Sequence, residues 1–333
     1  MKHITIKDIA RELKISVSTV SRALQNHPDI SERTKEQVRD CARRLNYKPN
    51  LMASNLRTSK NTTIGVVIPE LNHHFFSSIL DGIEQTANEA GYNILICQTG
   101  EDVQKEVRSV QTLISSRVAG MLVGVSKQTA QLYHLQEVLD NAIPLVLYDR
   151  PCPSLKCDQV VSDDYMGAFN AVEYLIQTGK RKVMYLSSSF QLEVSRRRYQ
   201  GWRDALLRYN IPITDDMLIE CDTRSKAIIA TPGILQRDNR PDAIFCVNDD
   251  CAAGVLHVAQ ILGVKIPEEL SICGFSNAPI CRATLPMLTT VQQHGVEIGR
   301  RATARLLKRL QGEERIPQTE MIPTDLIVRE TTK

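Results

Sequence analysis

The chain has no apolar run approaching the roughly 18–20 residues that span a bilayer, and its start, Met1-Lys-His-Ile-Thr, lacks the apolar stretch of a secretory signal. A soluble, cytoplasmic protein with no membrane partner is therefore expected. The 42% hydrophobic and 24% charged content over 333 residues agrees with this. No Cys-x-x-Cys pair occurs, and the nine cysteines are odd in number. The spacings Cys152/Cys157 and Cys246/Cys251 have no matching His or Cys pair nearby, so reduced thiols are expected rather than disulfides or a metal site. There is no glycine-rich phosphate loop of dinucleotide or P-loop type, which argues against NAD or ATP chemistry. No nucleophile–base constellation emerges, and His73 and His74 are adjacent rather than at helical ligand spacing. The sequence thus reads as a binding protein, with neither catalysis nor a cofactor. Beyond Asp325 there is no heptad stretch to build a tetramer, so a homodimer is the default.

What is present begins near the N-terminus. Ile6, Ile9, Ala10 and Leu13 share one helical face, and Val17, Val20 and Leu24 share another. The few residues between the patterns force the two helices to cross sharply, as in a helix-turn-helix. Thr5 with Asp8 resembles a capping box for the first helix, and Ser16 is a good N-cap for the second. The outward face of the second helix is expected to present Val17, Ser18, Ser21 and Arg22, with Arg22 suited to a guanine edge. Two amphipathic helices can also be ordinary core, but the charge favours DNA. Residues 1–60 hold thirteen Lys or Arg against six Asp or Glu, and the rest is slightly acidic. Ser31 is expected to cap a third helix from Glu32 to about Leu45. Tyr47-Lys-Pro-Asn50 breaks it. Leu51–Arg57 then has helical spacing over about two turns, too short to persist alone in water.

From Ile64 buried strands alternate with amphipathic helices. The strands are placed at Thr63–Ile68, Asn93–Gln98, Gly120–Val125, Leu145–Tyr148, Val160–Ser162, Lys182–Ser187, Ala243–Val247 and Leu270–Gly274. The helices include Phe76–Ala90, Val103–Ser115, Tyr165–Thr178, Arg198–Tyr209 and Cys251–Leu262. Such alternation implies parallel sheets with right-handed crossovers, and two rounds of it suggest two α/β lobes with ligands at the carboxyl ends of strands.

These residues resemble the LacI/GalR family of bacterial transcription regulators along almost the whole chain. The head carries Thr-Ile-Lys-Asp-Ile-Ala (5–10), Ile-Ser-Val-Ser-Thr-Val-Ser-Arg-Ala-Leu (15–24) and Asn-Tyr-Lys-Pro-Asn (46–50). The body carries Thr-Ile-Gly-Val-Val-Ile-Pro (63–69), Ile-Pro-Leu-Val-Leu-Tyr-Asp-Arg (143–150), Arg-Pro-Asp-Ala-Ile-Phe-Cys-Val-Asn-Asp (240–249) and Leu-Thr-Thr-Val-Gln-Gln (288–293). The resemblance implies an all-α helix-turn-helix head (1–49), a hinge helix and linker (50–62) and a two-lobed, periplasmic-binding-protein-like α/β body (63–333). The N-lobe would hold about 63–161 and 292–322, and the C-lobe about 162–291 and 323–333. It further implies a dimer on pseudo-palindromic double-stranded operator DNA, controlled by a small effector. Thr5, Val17, Ser18, Ser21, Arg22 and Asn50 fall at DNA-contacting positions. Leu56 matches a minor-groove wedge, Ala53 a small hinge position and Arg57 a phosphate or groove contact.

For the effector, the resemblance points to Phe75, Asp149, Arg150, Arg198, Asn248, Asp249, Ser276 and Gln293. Polar groups around an aromatic platform suit a sugar or sugar derivative. Asp149 and Arg150 are equally readable as an ion pair at the lobe edge. The chain departs from the family pattern at Ser276, where a carboxylate is common, and at Thr223, where an aromatic is frequent. Arg196, Arg197 and Arg198 stand at the expected start of a helix, opposing its macrodipole. They read either as partly solvated or as a site for an anionic effector such as a sugar phosphate. A transport-type sugar-binding protein and an α/β enzyme are the rival classes, and the basic head and lack of catalytic clusters weigh against both.

Overall fold

Thr5 opens helix α1 (Ile6–Leu13): Asp8 accepts hydrogen bonds from the Thr5 backbone N–H at 2.9 Å and from its hydroxyl at 2.7 Å. That ties down a helix end whose backbone groups lack intrahelical partners. Lys14 ends the helix in the left-handed conformation, at φ 52°. Ser16 then caps α2 (Val17–Leu24) by accepting from Thr19 N–H at 3.0 Å. Ser31 does the same for α3 (Glu32–Arg44) through Thr34. Ile9, Val20, Ala23 and Val38 are fully buried and form the centre of the head's own core. The computed structural model describes residues 4–47, 61–313 and 316–332. The chain divides into two units, Met1–Asn61 and Thr62–Lys333.

The second unit contains two six-stranded sheets. In the N-lobe, β1 (Thr63–Ile68), β2 (Asn93–Gln98), β3 (Gly120–Val123), β4 (Leu145–Tyr148), β5 (Asp158–Ser162) and β11 (Thr319–Ile322) lie in the order β11-β5-β4-β3-β1-β2, all parallel. In the C-lobe, β6 (Val183–Ser187), β7 (Leu218–Glu220), β8 (Ala243–Cys246), β9 (Ser271–Phe275), β10 (Thr289–Gln292) and β12 (Asp325–Ile327) lie in the order β12-β10-β9-β8-β6-β7. Only the β10–β12 pairing is antiparallel there. The chain passes between sheets after Ser162, after Gln292 and after Ile322.

Helices cover both sheets: α4 (His74–Glu89), α5 (Val103–Ser115), α6 (Tyr133–Asp140) and α12 (Gly295–Gln311) in the N-lobe, and α7 (Asp164–Gln177), α8 (Glu193–Arg208), α9 (Arg224–Leu235), α10 (Asp249–Ile261) and α11 (Ile280–Ala283) in the C-lobe. The N-lobe pair α4 and α12 touches backbone to backbone. A Cβ on Gly82 would lie 2.0 Å from Val296 O, and one on Gly299 would lie 2.0 Å from Ile79 O. Among the described residues no helix is long and apolar enough to cross a membrane.

Several elements lack an expectation from sequence. Strands β7, β10 and β11 are three or four residues long, too short for alternation to stand out. Helix α9 contains Pro232 and has apolar residues around most of its circumference, so it shows no one-sided pattern. Helix α8 starts at Glu193, five residues before the expected Arg198. The three arginines therefore follow an acidic first turn instead of opening the helix.

Candidate recognition helix and interlobe cleft

On α2, Val17 is 41% exposed and Ser18 and Arg22 also face solvent. The Ser18 hydroxyl shares a 2.7 Å hydrogen bond with that of Ser16. Arg22 has no side-chain partner among the described residues, so its fork of donors is uncommitted. Ser21 differs from the expected outward placement. It is only 7% exposed, because it follows Val20 on the turn that packs against the head's core. Thr5 is exposed at the start of α1. Asn50, Ala53, Leu56 and Arg57 lie outside the described residues.

The strand ends of the two lobes enclose a cavity of about 410 Å³, within the range of small-molecule sites. Phe75, Asp149, Arg150, Arg198, Asn248, Ser276 and Gln293 all line it. Asp249 does not. It borders a separate 320 Å³ cavity and is turned under the sheet, accepting from Thr290 Oγ1 at 2.5 Å and Ala278 N–H at 2.7 Å. Burial raises its carboxyl above the ordinary range, partly offset by those bonds. Asp249 is thus a brace for the β9–β10 region.

The charged residues of the cavity are held mainly by one another. Arg150 donates two 2.8 Å bonds to Glu101 and one of 2.6 Å to Val125 O. It lies 3.6 Å from Asp149, so the ion-pair alternative describes its environment. Arg198 is buried, bonded to Asp164 at 2.7 Å and to Val247 O at 2.6 Å, with its guanidinium 3.8 Å from the Phe275 ring centroid. Asn248 caps α10 through Cys251 N–H and donates to Asp222 O, both at 2.8 Å. Ser276, at φ 114°, donates to Gln293, whose amide reaches Ser162. Gln293 therefore ties two interlobe crossings together. Thr223 lines the wall and caps α9.

Other lining residues have no assignment from sequence, because their positions become neighbours only through the sheet order. Lys127, after β3, reaches across the cleft to Asp222, after β7, at 3.0 Å. Burial pushes the Asp222 carboxyl up, but Lys226 and Lys127 outweigh it and hold it down at about 2. The loop carrying Lys127 is pinned by two acids: Glu106 accepts from Ser126 N–H and His134, and Glu101 from Lys127 N–H. Arg224 pairs with Asp250 at 2.9 Å.

Three lining groups stand apart. Asp149 is 4% exposed and has no hydrogen bond to its carboxylate among the described residues. Burial pushes its pKa up to about 7, although Arg150 opposes this. Ser195 Oγ, on a side chain 1% exposed, and His73 Nδ1 are also buried without a partner. Burial lowers the pKa of His73, which keeps the ring neutral.

Arg196 and Arg197 are absent from the cavity wall. Arg196 bonds Glu193 at 2.7 Å and two loop carbonyls, and Arg197 lies 3.3 Å from the same carboxylate. Of the three arginines only Arg198 faces the cavity, and it is bonded to Asp164.

Residues 5–50 match the bacterial regulatory proteins of the lacI family, and residues 172–332 match the periplasmic binding protein-like domain. The chain is 33% identical over 335 residues to the HTH-type transcriptional repressor PurR of Vibrio vulnificus (strain CMCP6), covering 99% of this chain and 98% of that protein. The lac repressor dimer bound to operator and the anti-inducer ONPF superposes with a TM-score of 0.88 at 25% identity, covering 99% of both chains. The transcriptional regulator CelR in complex with cellobiose superposes at 0.75, also with 25% identity, over 98% of this chain and 99% of that one.

Proposed function

This chain belongs to the LacI family of bacterial transcription regulators, as a DNA-binding repressor with a ligand-binding body, and we propose that a small sugar-like effector in its interlobe cleft sets its operator affinity. The exposure of Val17, Ser18 and Arg22 on one capped helix, over a head with its own core, is the observation that carries DNA reading. Val17 offers a methyl contact, Ser18 a hydroxyl, and Arg22 two parallel donors for guanine O6 and N7. A role on bacterial DNA supports a cytoplasmic location as part of this proposal. Binding without turnover separates this role from an α/β enzyme.

Control follows from the cleft. A ligand that favours one angle between the lobes shifts the population of body conformations, by as much as its affinities for them differ. The hinge roles of Asn50, Ala53, Leu56 and Arg57 belong to the same proposal. A two-turn helix is marginal alone, so a partner hinge and DNA would order it, and Leu56 would wedge into the minor groove. Support for a sugar-like effector comes from the aromatic Phe75 beside polar groups and from the cellobiose-bound regulator of the same fold. A second copy suits the C-lobe surface, where Ile229 and Ile261 are 80% and 70% exposed on α9 and α10.

Selection from random duplex DNA tests the reader. Wild type should enrich a two-fold symmetric site, and Arg22→Ala should lose preference at one position per half-site. Equal loss of operator and random-DNA affinity in Leu56→Ala would remove the wedge. Sedimentation should show Ile229→Asp shifting the dimer toward monomer, and an unchanged dimer would move the interface elsewhere.

A further inference from the structure

Resting on the effector-controlled function above, we infer that the effector is an uncharged hydrogen-bond donor, bearing hydroxyl or ring N–H groups and no phosphate or carboxylate. The inference follows from which cleft groups are already satisfied. Lys127 is committed to Asp222, Arg150 to Glu101, Arg198 to Asp164 and Arg224 to Asp250. An anionic ligand that took Arg150 or Arg198 would leave Glu101 or Asp164 unpaired in a low-dielectric wall, whereas Lys127 and Arg224 are partly exposed and Asp222 also keeps Lys226.

The unsatisfied groups are of the opposite kind. The Asp149 carboxylate, 3.6 Å from Arg150 Nε, accepts no hydrogen bond among the described residues, and neither does Glu70 at the same wall. An ionised carboxylate only accepts. Neutral His73 offers a ring nitrogen, and Ser195 a hydroxyl that can accept or donate. Asp149 and Glu70 come from the N-lobe and Ser195 from the C-lobe, so a ligand with two neighbouring donors would join the lobes by satisfying both. A phosphate set here would face Glu70, and Asp149 once it is ionised, with like charge. Leaving a buried acceptor unmade costs about 1–3 kcal/mol, more for a charged one, so the ligand's donors are selected strongly.

Binding should also move a proton. Burial holds Asp149 partly protonated near neutrality. Donors from a ligand favour the carboxylate, so the proton leaves on binding and affinity rises with pH through about 7.

The test uses the full chain and matched sets: D-glucose, glucose 6-phosphate and D-glucuronate; D-ribose and ribose 5-phosphate; and nucleosides with their 5′-monophosphates. In every set that raises the melting midpoint, the neutral member should raise it most. By calorimetry its affinity should gain up to about tenfold from pH 6 to pH 8. Asp149→Asn should weaken it at least about tenfold and flatten that pH dependence, while Arg196→Ala leaves it unchanged. A larger shift from a phosphate or from glucuronate than from the neutral partner overturns the inference, as does tighter phosphate binding dependent on Arg196. A neutral ligand that binds through Asp149 but leaves operator affinity unchanged would uphold the ligand class and defeat effector control.

Discussion

Arg22 and Arg198 are the same residue in opposite circumstances. Arg22 stands in solvent on α2 with no partner among the described residues, whereas Arg198 is buried on α8 with its donors spent on Asp164 and Val247 O. A DNA reader keeps its donors free until the bases supply acceptors. A small-molecule cleft instead uses its cations to hold its own wall, leaving only a few selected groups for the ligand. Charge near a site therefore says little about ligand charge until its partners are known.

Substitutions can break that contrast, and the largest effect is expected at Arg198. Arg198→Ala would leave Asp164 buried and unpaired, at a cost of about 3–5 kcal/mol. Urea unfolding followed through Trp202, buried on the same helix, would read it, and a loss below about 1 kcal/mol would mean that the pair is not integral to the lobe. Ile9→Ala should remove about 2–5 kcal/mol from the head core and abolish DNA binding. Ligand-induced thermal shifts of the body should remain, since the head has a separate core. Persistence of operator binding would show that the head draws its stability from elsewhere.

Arg22→Ala sharpens the contrast from the other side. It should leave stability within about 0.5 kcal/mol while removing about 1–3 kcal/mol of discrimination at one base pair, read by competition between operator variants. The smallest effect belongs to Lys127→Ala. Its pair with Asp222 is partly exposed and should contribute under about 1 kcal/mol. Because the Asp222 carboxyl is held at about 2, below its unfolded value, that contribution is present above the unfolded pKa and fades as pH falls toward about 2. The wild-type-to-variant stability difference should thus be flat between pH 5 and pH 8. A slope there would assign the titration to another group.

Much of the head is legible in the chain because its determinants are local. Thr5, Ser16 and Ser31 cap the helices that follow within a residue, and the apolar spacing that defines the core recurs every three or four positions. Ser21 is the exception: a serine looks outward by type, but the packing of α2 decides its burial. In the body, local pattern marks the long strands and helices and fails for β7, β10 and α9, where strands of three or four residues and an all-round apolar helix carry no periodic signal.

Sequence alone determined the α/β class, because it depends on residue types at short spacing, and through its resemblance to a known family it also pointed to seven residues that line the cleft. Tertiary structure alone decided which charges are spent. Glu101 and Arg150 are 49 positions apart, Lys127 and Asp222 are 95 apart, and Asp249 points away from the ligand cavity although Asn248 beside it faces in. Pairing over such separations is set by the order of strands in two sheets, which brings distant loops to one edge. Physically, a charge's role follows from the partner and dielectric around it, and neither is a property of its position in the chain.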